Sequence, residues 1–290
     1  MDNTNIKKQK SRASEVWKQL RKNKGAMLGL ALVLFIIIGT ITANIVLDYD
    51  THIVGMDISQ RLQGPSRNHL MGTDDMGRDI FYRLIYGAKY SLSVGIVAVI
   101  IAVIIGVPLG AIAGYFGGRV EDIIMRITDI FAAIPNILMA IVVVSALGQG
   151  IINLMIAVGL CSIPQFVRIT RASVLTVRDQ DYVEACRAVG LTEFQIIFQH
   201  VLPNCLSPII VQTTLRTASA IITAAALSYL GLGVVAPTPE WGSMLSYGRR
   251  FIRGYSYMTL FPGLAIMLTV LSLNLLGDGL RDAMDPKLRK

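Results

Sequence analysis

Histidine, cysteine and clustered aspartate are the residues of this chain that metal or nucleophile chemistry would use. His52, His69 and His200 have no zinc-ligand spacing, and no H-E-x-x-H is present. Cys161, Cys186 and Cys205 are odd in number and form no C-x-x-C pair, so they read as small apolar packing residues rather than a disulfide framework. Asp74, Asp75 and Asp79 suggest calcium, but no twelve-residue ligand pattern follows them, and turn and helix-cap roles are expected instead. There is no G-x-S-x-G and no other arrangement that nominates a nucleophile and its base. The phosphate-cradling pattern G-x-x-x-x-G-K-[ST] is also missing. None of these residue sets points to catalysis of bond chemistry by this chain.

Two other features stand out. Residues 181–203 read DYVEACRAVGLTEFQIIFQHVLP and predict two short helices joined by a hinge. Asp181 is placed to cap the first, with Glu184 three positions on, as in a capping box. Gly190 stops that helix by supplying a left-handed residue. Thr192 caps the second helix and Gln195 answers it. Phe194, Ile197, Phe198 and Val201 then share one apolar face. Pro203 disfavours helix at Leu202 and ends the pair. Ala185, Cys186 and Ala188 keep the first helix thin. Such a knob either docks in a partner's groove or packs beneath its own protein. The second feature is Arg216, a charge inside an apolar run, whose face Ala220, Ala224 and Ser228 continue. Either it faces a water-filled path or other protein, or it pairs structurally or snorkels to an interface.

The elements that position these residues follow from composition. Of the 290 residues, 53% are hydrophobic and only 16% charged, where a soluble domain carries about 25% charged. The deficit indicates a different solvent, and a bilayer-spanning helix needs about 20 mostly apolar residues. The expected fold is an all-α integral membrane protein of six transmembrane helices, at 26–47, 90–115, 132–147, 151–167, 208–232 and 257–276. The first is too long for a signal peptide and lacks a clear A-x-A site. The second carries small residues at every fourth position, Ala98, Ala102, Gly106, Gly110 and Gly114, a stripe that lets another helix approach closely. Pro108 is expected to bend it. No charge appears between Ile130 and Val167, and Gly148-Gln149-Gly150 divides that run by a turn. Pro135 and Pro164 mark kinks or span starts.

The formal charge of +8 could mean nucleic acid, but its placement argues otherwise. Lys7, Lys8, Lys10, Arg12, Lys18, Arg21, Lys22 and Lys24 directly precede the first span, and Arg281, Lys287, Arg289 and Lys290 follow the last. Both basic termini are therefore expected in the cytoplasm, beside membrane lipid. The division that follows is a cytoplasmic tail (1–25), the first transmembrane helix (26–47), an external segment (48–88), a core (89–280) with an inner loop at 168–207, and a cytoplasmic tail (281–290). Within the external segment, residues 79–86 are expected to form a short helix lying in the outer interface, with Tyr82 and Tyr86 at headgroup level. Arg249, Arg250 and Arg253 fall outside, against the positive-inside bias. Trp241, Tyr247, Tyr255 and Tyr257 nearby either anchor in the interface or meet a docking protein.

The hinged segment resembles the coupling loop of bacterial ATP-binding-cassette import permeases, whose pattern is E-A-A-x3-G-x9-I-x-L-P. Glu184, Ala185, Gly190, Leu202 and Pro203 match in place, Cys186 replaces the second alanine, and His200 replaces the isoleucine. The run from His200 to Asn204 is similar to that of the dipeptide/oligopeptide/nickel branch. So are His69 to Asp79 (HLMGTDDMGRD), Ser228 to Gly233 (SYLGLG) and Trp241-Gly242. The basic lead-in and first span resemble the second-type permease of that branch, so the resemblance covers nearly the whole chain.

The resemblance implies a permease subunit in a bacterial inner membrane, with Asp181, Glu184, Ala185, Cys186, Gly190, His200, Leu202 and Pro203 in a loop coupled to separate ATPases. It implies no cofactor in this chain, with ATP and Mg held by two partner ATPase subunits. A related permease would complete the path as a heterodimer, and an external binding protein would deliver cargo. Di- or oligopeptide is the expected cargo, with nickel or a nickel chelate as the alternative. Many members of the branch carry an acidic residue where this chain has Ala224, which leaves the cargo open. An ion-gradient transporter is expected to carry charged residues along its path or paired broken helices, and only Arg216 fits. A membrane-embedded enzyme would need clustered His, Asp or Cys.

Overall fold

A computed structural model describes residues 12–285. Lys7, Lys8, Lys10, Lys287, Arg289 and Lys290 lie outside the described residues. Among those described, the chain is helical and no strand forms. A short helix α1 (Arg12–Leu20) precedes α2 (Lys24–Val46), which Asn23 caps by accepting the Ala26 N–H. Next come α3 (Ile80–Phe116), α4 (Gly118–Ala133), α5 (Asn136–Leu147) and α6 (Ile151–Leu175). The remaining long helices are α10 (Leu206–Tyr229) and α12 (Tyr257–Met284), with the short α7 (Asp181–Ala188), α8 (Glu193–Gln195) and α9 (Leu202–Asn204) before them and α11 (Trp241–Gly248) between. Five helices are long and apolar enough to cross a membrane, or six if α4 and α5 together make one span.

Two expectations need correction. Residues 80–86 are not a separate interfacial helix but the first turns of α3, which has 37 residues. Asp79 starts that helix by accepting the N–H groups of Phe81 and Tyr82, and nothing ends it before Gly117. At 1.5 Å per residue α3 is about 55 Å long, far more than the roughly 30 Å of bilayer hydrocarbon. Its first turns bury Ile80 and Leu84 against Trp241, Met244 and Met258. The apolar face of an interfacial helix and that of a protein-buried one have the same period, so periodicity could not separate them. The run 132–147 is likewise not a straight span. The chain bends by 89° between α4 and α5, where Ile134 is extended because the ring of Pro135 disfavours helix at the residue before it. The 12 residues of α5 cover about 18 Å. α6 runs on to Leu175, beyond the expected 167, with Thr170 and Val174 of its later turns buried against Gly110 and Gly114 of α3 and Arg168 and Arg171 paired with Asp129 and Glu121 of α4.

Small residues set the packing. Gly106, Gly110 and Gly114 of α3 face Phe166, Val167, Thr170 and Val174 of α6 at backbone contact, and Gly159 of α6 meets Ala98 and Ile101 in return. A Cβ on Gly110 would stand 2.5 Å from the Val167 carbonyl oxygen. Gly110→Leu is therefore expected to force α3 and α6 apart at a cost of about 1–3 kcal/mol or more. Its check is a lowered thermal midpoint of the purified subunit assembly. Along α2, Gly29 approaches the backbone of Ser272 and Leu276 in α12 in the same way.

The connections collect at two ends. At one, Gln149 donates to the Gly231 carbonyl (2.8 Å), Arg83 to Pro237 (3.3 Å) and Tyr257 to Thr73 (3.1 Å), uniting residues 48–79, the 148–150 turn and 230–256. Asp74, Arg78 and Arg83 are buried there, with the Arg78 Nε 2.7 Å from the Asp74 carboxylate. His69 lies between Asp79 and Gln60, so Asp74 and Asp79 serve in a turn, an ion pair and a helix cap. Glu240 is buried too. It caps α11 by accepting the N–H groups of Gly242 and Ser243, and burial pushes its carboxyl up against the pull of those donors. At the other end, Asn23 donates to Asp282 (3.2 Å) and Arg178 to the Gly114 carbonyl (2.9 Å). Both ends of the described chain and residues 176–205 lie there.

Candidate functional site

The segment 181–203 folds as two helical pieces around Gly190, with local details that differ from expectation. The cap of α7 is Gln180, and it makes no side-chain capping bond. Asp181 is instead the first helical residue, and with Glu184 it places negative charge on the first turn, where the helix dipole favours it. At the far end of α7, Gly190 has φ +87°. Its N–H donates to the Arg187 carbonyl (2.9 Å) and the Leu191 N–H to the Cys186 carbonyl (3.2 Å). That pair of bonds is a complete Schellman motif, which closes the orphan carbonyls of the helix and turns the chain sharply. Thr192 and Gln195 form the reciprocal capping box of α8.

Beyond α8 the backbone widens into a π-helix over Ile196–Val201. Its i→i+5 bonds displace later residues around the axis relative to a 3.6-residue period. The inward face is consequently Ile196, Ile197 and Val201, all fully buried, while Phe194 (62% exposed) and Phe198 (41% exposed) point away. The predicted four-residue face is thus split. Nor does Pro203 end the helical structure: Leu202 is in the right-handed helical region and α9 continues to Asn204. A proline ring clashes with the carbonyl four residues back in a regular helix, and the widened turn ahead relieves that contact. Asn204 then donates to the His200 carbonyl (2.8 Å).

The result is a protrusion with two faces. Val183, Ile196, Ile197 and Val201 join the main core together with residues of α3 and α6. Asp181, Glu184, Ala185, Ala188, Val189, Gly190 and Phe194 remain uncovered, Val189 at 82% exposure. Cys186 is partly buried on the core side, while Cys205 is buried, and burial pushes its thiol up to about 11. His200 and Leu202 are half-covered and Pro203 is exposed.

The other candidate set lies apart from this protrusion. Arg216, in the middle of α10, is half-buried, and its side chain makes no ion pair or hydrogen bond among the described residues. Ala220 and Ala224 are buried in the main core, and Ser228 packs on Gly233 and Gly242. All three are buried against other residues of this chain. Arg178, the π turn and Glu240 carry no motif in the sequence that marks them. The last is hidden because glutamate is not among the strongly preferred N-cap residues.

Residues 106–290 match the family described as binding-protein-dependent transport system inner membrane component, and residues 11–65 match the N-terminal TM domain of oligopeptide transport permease C. The chain belongs to the binding-protein-dependent inner membrane component family. The first match contains the whole protrusion, the last turns of α3 and every later long helix, while α2 lies in the second. Among relatives of this permease, the dipeptide transport system permease protein DppC of Alkalihalophilus pseudofirmus is 48% identical over 275 residues, covering 95% of this chain and 90% of its own. The di/tripeptide transport system permease protein DppC of Pseudomonas aeruginosa is 45% identical over 95% of this chain and 92% of its own. The glutathione transport system permease protein GsiD of Escherichia coli is 44% identical over 95% and 90%. A solved structure of the MetNI methionine ABC transporter in an inward-facing conformation has a similar chain, with TM-score 0.60 and 19% identity over 71% of this chain and 98% of that one. That likeness concerns the fold.

Proposed function

We propose that this permease forms half of the translocation path of an ATP-driven importer of di- and oligopeptides in a bacterial cell membrane. Its protrusion α7–α9 is the element held by an ATPase subunit. The observation that carries the reading is the shape of that protrusion: a sharply hinged helix pair, rooted in the core by one face and uncovered on the other. The end that carries it also carries Lys18, Arg21, Lys22, Lys24 and Arg281, and the positive-inside bias assigns that end to the cytoplasm. Two ATPase subunits, which bind ATP and Mg, meet this chain and a related permease there. An external binding protein meets the opposite end, where α11 and residues 48–79 gather. Closure of the nucleotide-loaded ATPase pair draws the two protrusions together and biases the bundle toward its outward-open state, while hydrolysis releases it. The peptide reading is preferred to nickel because the relatives named above are permeases for dipeptides, di/tripeptides and glutathione.

Membrane vesicles holding this chain, its partner permease, both ATPases and the binding protein test the proposal. Labelled dipeptide is expected to accumulate only with ATP inside reach of the ATPases, and equally well with the proton gradient collapsed. Accumulation by this chain without the ATPases, or loss on collapsing the gradient, contradicts the reading. Glu184→Lys cancels the negative charge on the first turn of α7, where Asp181 remains, while leaving the core face untouched. It is expected to lower uptake about fivefold or more with normal amounts of assembled permease on immunoblots. A cysteine at Val189 is expected to react with impermeant maleimide only from the cytoplasmic side.

A further inference from the structure

The last turn of α3 meets the protrusion at the phenol of Tyr115. Tyr115 is buried (6% exposed), and its ring stacks edge-on against Phe116. Its hydroxyl donates to the Glu193 carboxylate and accepts from the Arg187 guanidinium at 3.0 Å. The same guanidinium lies over the Tyr115 ring, 5.3 Å from its centre. Arg187 precedes Gly190 by three residues and Glu193 follows it by three, so one oxygen atom holds the two arms of the hinge. Arg187 and Glu193 are themselves half-exposed and 3.9 Å apart. An exposed pair of that kind contributes little by itself. Hydrogen bonds to the buried phenol give it a fixed geometry, and hydrogen bonds with one charged partner are stronger than neutral ones.

We infer that Tyr115 is a positioning residue for energy coupling: its hydroxyl fixes the angle between α7 and α8 and ties the hinge to α3. The inference rests on the proposed ATPase contact. Because α3 is packed backbone-to-backbone on α6 through Gly106, Gly110 and Gly114, and α6 leads directly into the protrusion, the hinge is gripped from two helices that move as one. Without the hydroxyl the apolar root of the protrusion persists, but the hinge angle becomes soft. Displacement imposed on the exposed face is then absorbed at Gly190 rather than passed to the long helices.

Tyr115→Phe isolates the hydroxyl, since the ring, its stacking on Phe116 and its contact with Arg187 all remain. The assembled transporter in lipid vesicles, with binding protein saturated with dialanine, supplies three readouts. Amide hydrogen exchange over residues 187–193 is expected to rise. Basal ATP hydrolysis is expected to stay within twofold of wild type, whereas its stimulation by loaded binding protein is expected to fall about fivefold or more. Glu193→Gln, which keeps an acceptor oxygen, is expected to retain more stimulation than Glu193→Ala. Unchanged exchange overturns the inference, and so does faster exchange with normal stimulation. Gly190→Val is the control: if it too transports normally, the ATPase contact itself is in the wrong place, and if it alone fails, only the role of Tyr115 is refuted.

Discussion

Replacing Gly190 with valine is expected to reduce uptake by about a hundredfold while leaving the permease folded and assembled. The reason is backbone conformation and not space. Nothing lies within 4 Å of a Cβ built on Gly190, but its φ of +87° is one that side-chain-bearing residues avoid. A β-branched residue there is strained by about 1–3 kcal/mol, and the Schellman bonds from Gly190 to Arg187 and from Leu191 to Cys186 depend on that conformation. The cost falls on a protrusion at the edge of the molecule, which can yield locally without unfolding the bundle. A coupling free energy of about 1–3 kcal/mol corresponds to roughly 5–150-fold in the coupled equilibrium, so strain of this size suffices to disconnect the loop. A substitution series separates the two causes. Asparagine tolerates left-handed conformations far better than alanine although it is larger. Uptake is therefore expected in the order Gly, Asn, Ala, Val, measured as initial rates per assembled complex. An order that follows side-chain volume instead, with Ala above Asn, would falsify the conformational account.

What could be read from sequence was whatever depends on solvent or on neighbours within a turn. Long uncharged runs reveal helices in lipid because unpaired backbone polar groups are intolerable there. The hinge at Gly190 and the box formed by Thr192 and Gln195 were legible for the second reason. Their hydrogen-bonding partners lie within five residues. Several of the differences between sequence expectation and structure concern direction. Hydropathy records that residues 118–147 are mostly apolar, and Pro135 flags a break, but the 89° turn depends on how α4 lies across α3 and α6. The face of Phe194, Ile197, Phe198 and Val201 presumed a 3.6-residue period that the π turn does not keep. Long-range partners left no local signal either. Nothing near Tyr115 in sequence announces Arg187 or Glu193, which lie 72 and 78 positions away. Ala220, Ala224 and Ser228 continue the face of Arg216, but what covers that face is set by residues distant in sequence, and all three are buried.

Asp74→Ala is expected to eliminate recovery of folded permease altogether, an effect different in kind from that of Gly190→Val. Asp74 is the sole carboxylate that pairs with Arg78 and Arg83 among the described residues, at 2.7 and 3.9 Å, and all three side chains are about 7% exposed. Its other oxygen accepts the N–H groups of Met76 and Arg78. Removing one member of a buried pair costs about 3–5 kcal/mol, because the remaining charge stays buried without compensation. In this cluster two cations lose their anion together. Arg83 cannot simply withdraw to solvent, since its Nη1 donates to the Ile53 carbonyl (2.7 Å) and its Nη2 to that of Pro237 (3.3 Å), binding α3 to two distant segments. Against a total stability on the order of 5–15 kcal/mol, a loss of this size at the joint of three segments leaves little. Asp74→Asn preserves acceptors for the backbone but not the charge, and an intermediate yield is expected. Adding Arg78→Met to Asp74→Ala removes one orphaned cation and is expected to restore part of the loss, which a purely local turn defect would not do. Arg168→Ala is the comparison at an exposed pair (49% and 60% exposed), where the expected change is about 0–1 kcal/mol. The measurements are the size-exclusion yield of detergent-solubilised complex and its thermal midpoint. A midpoint for Asp74→Ala within about 2 °C of wild type would mean that solvent or lipid headgroups reach Arg78 and Arg83 in the membrane, and that this end of the molecule is held by the apolar cluster of Ile80, Leu84 and Trp241 alone.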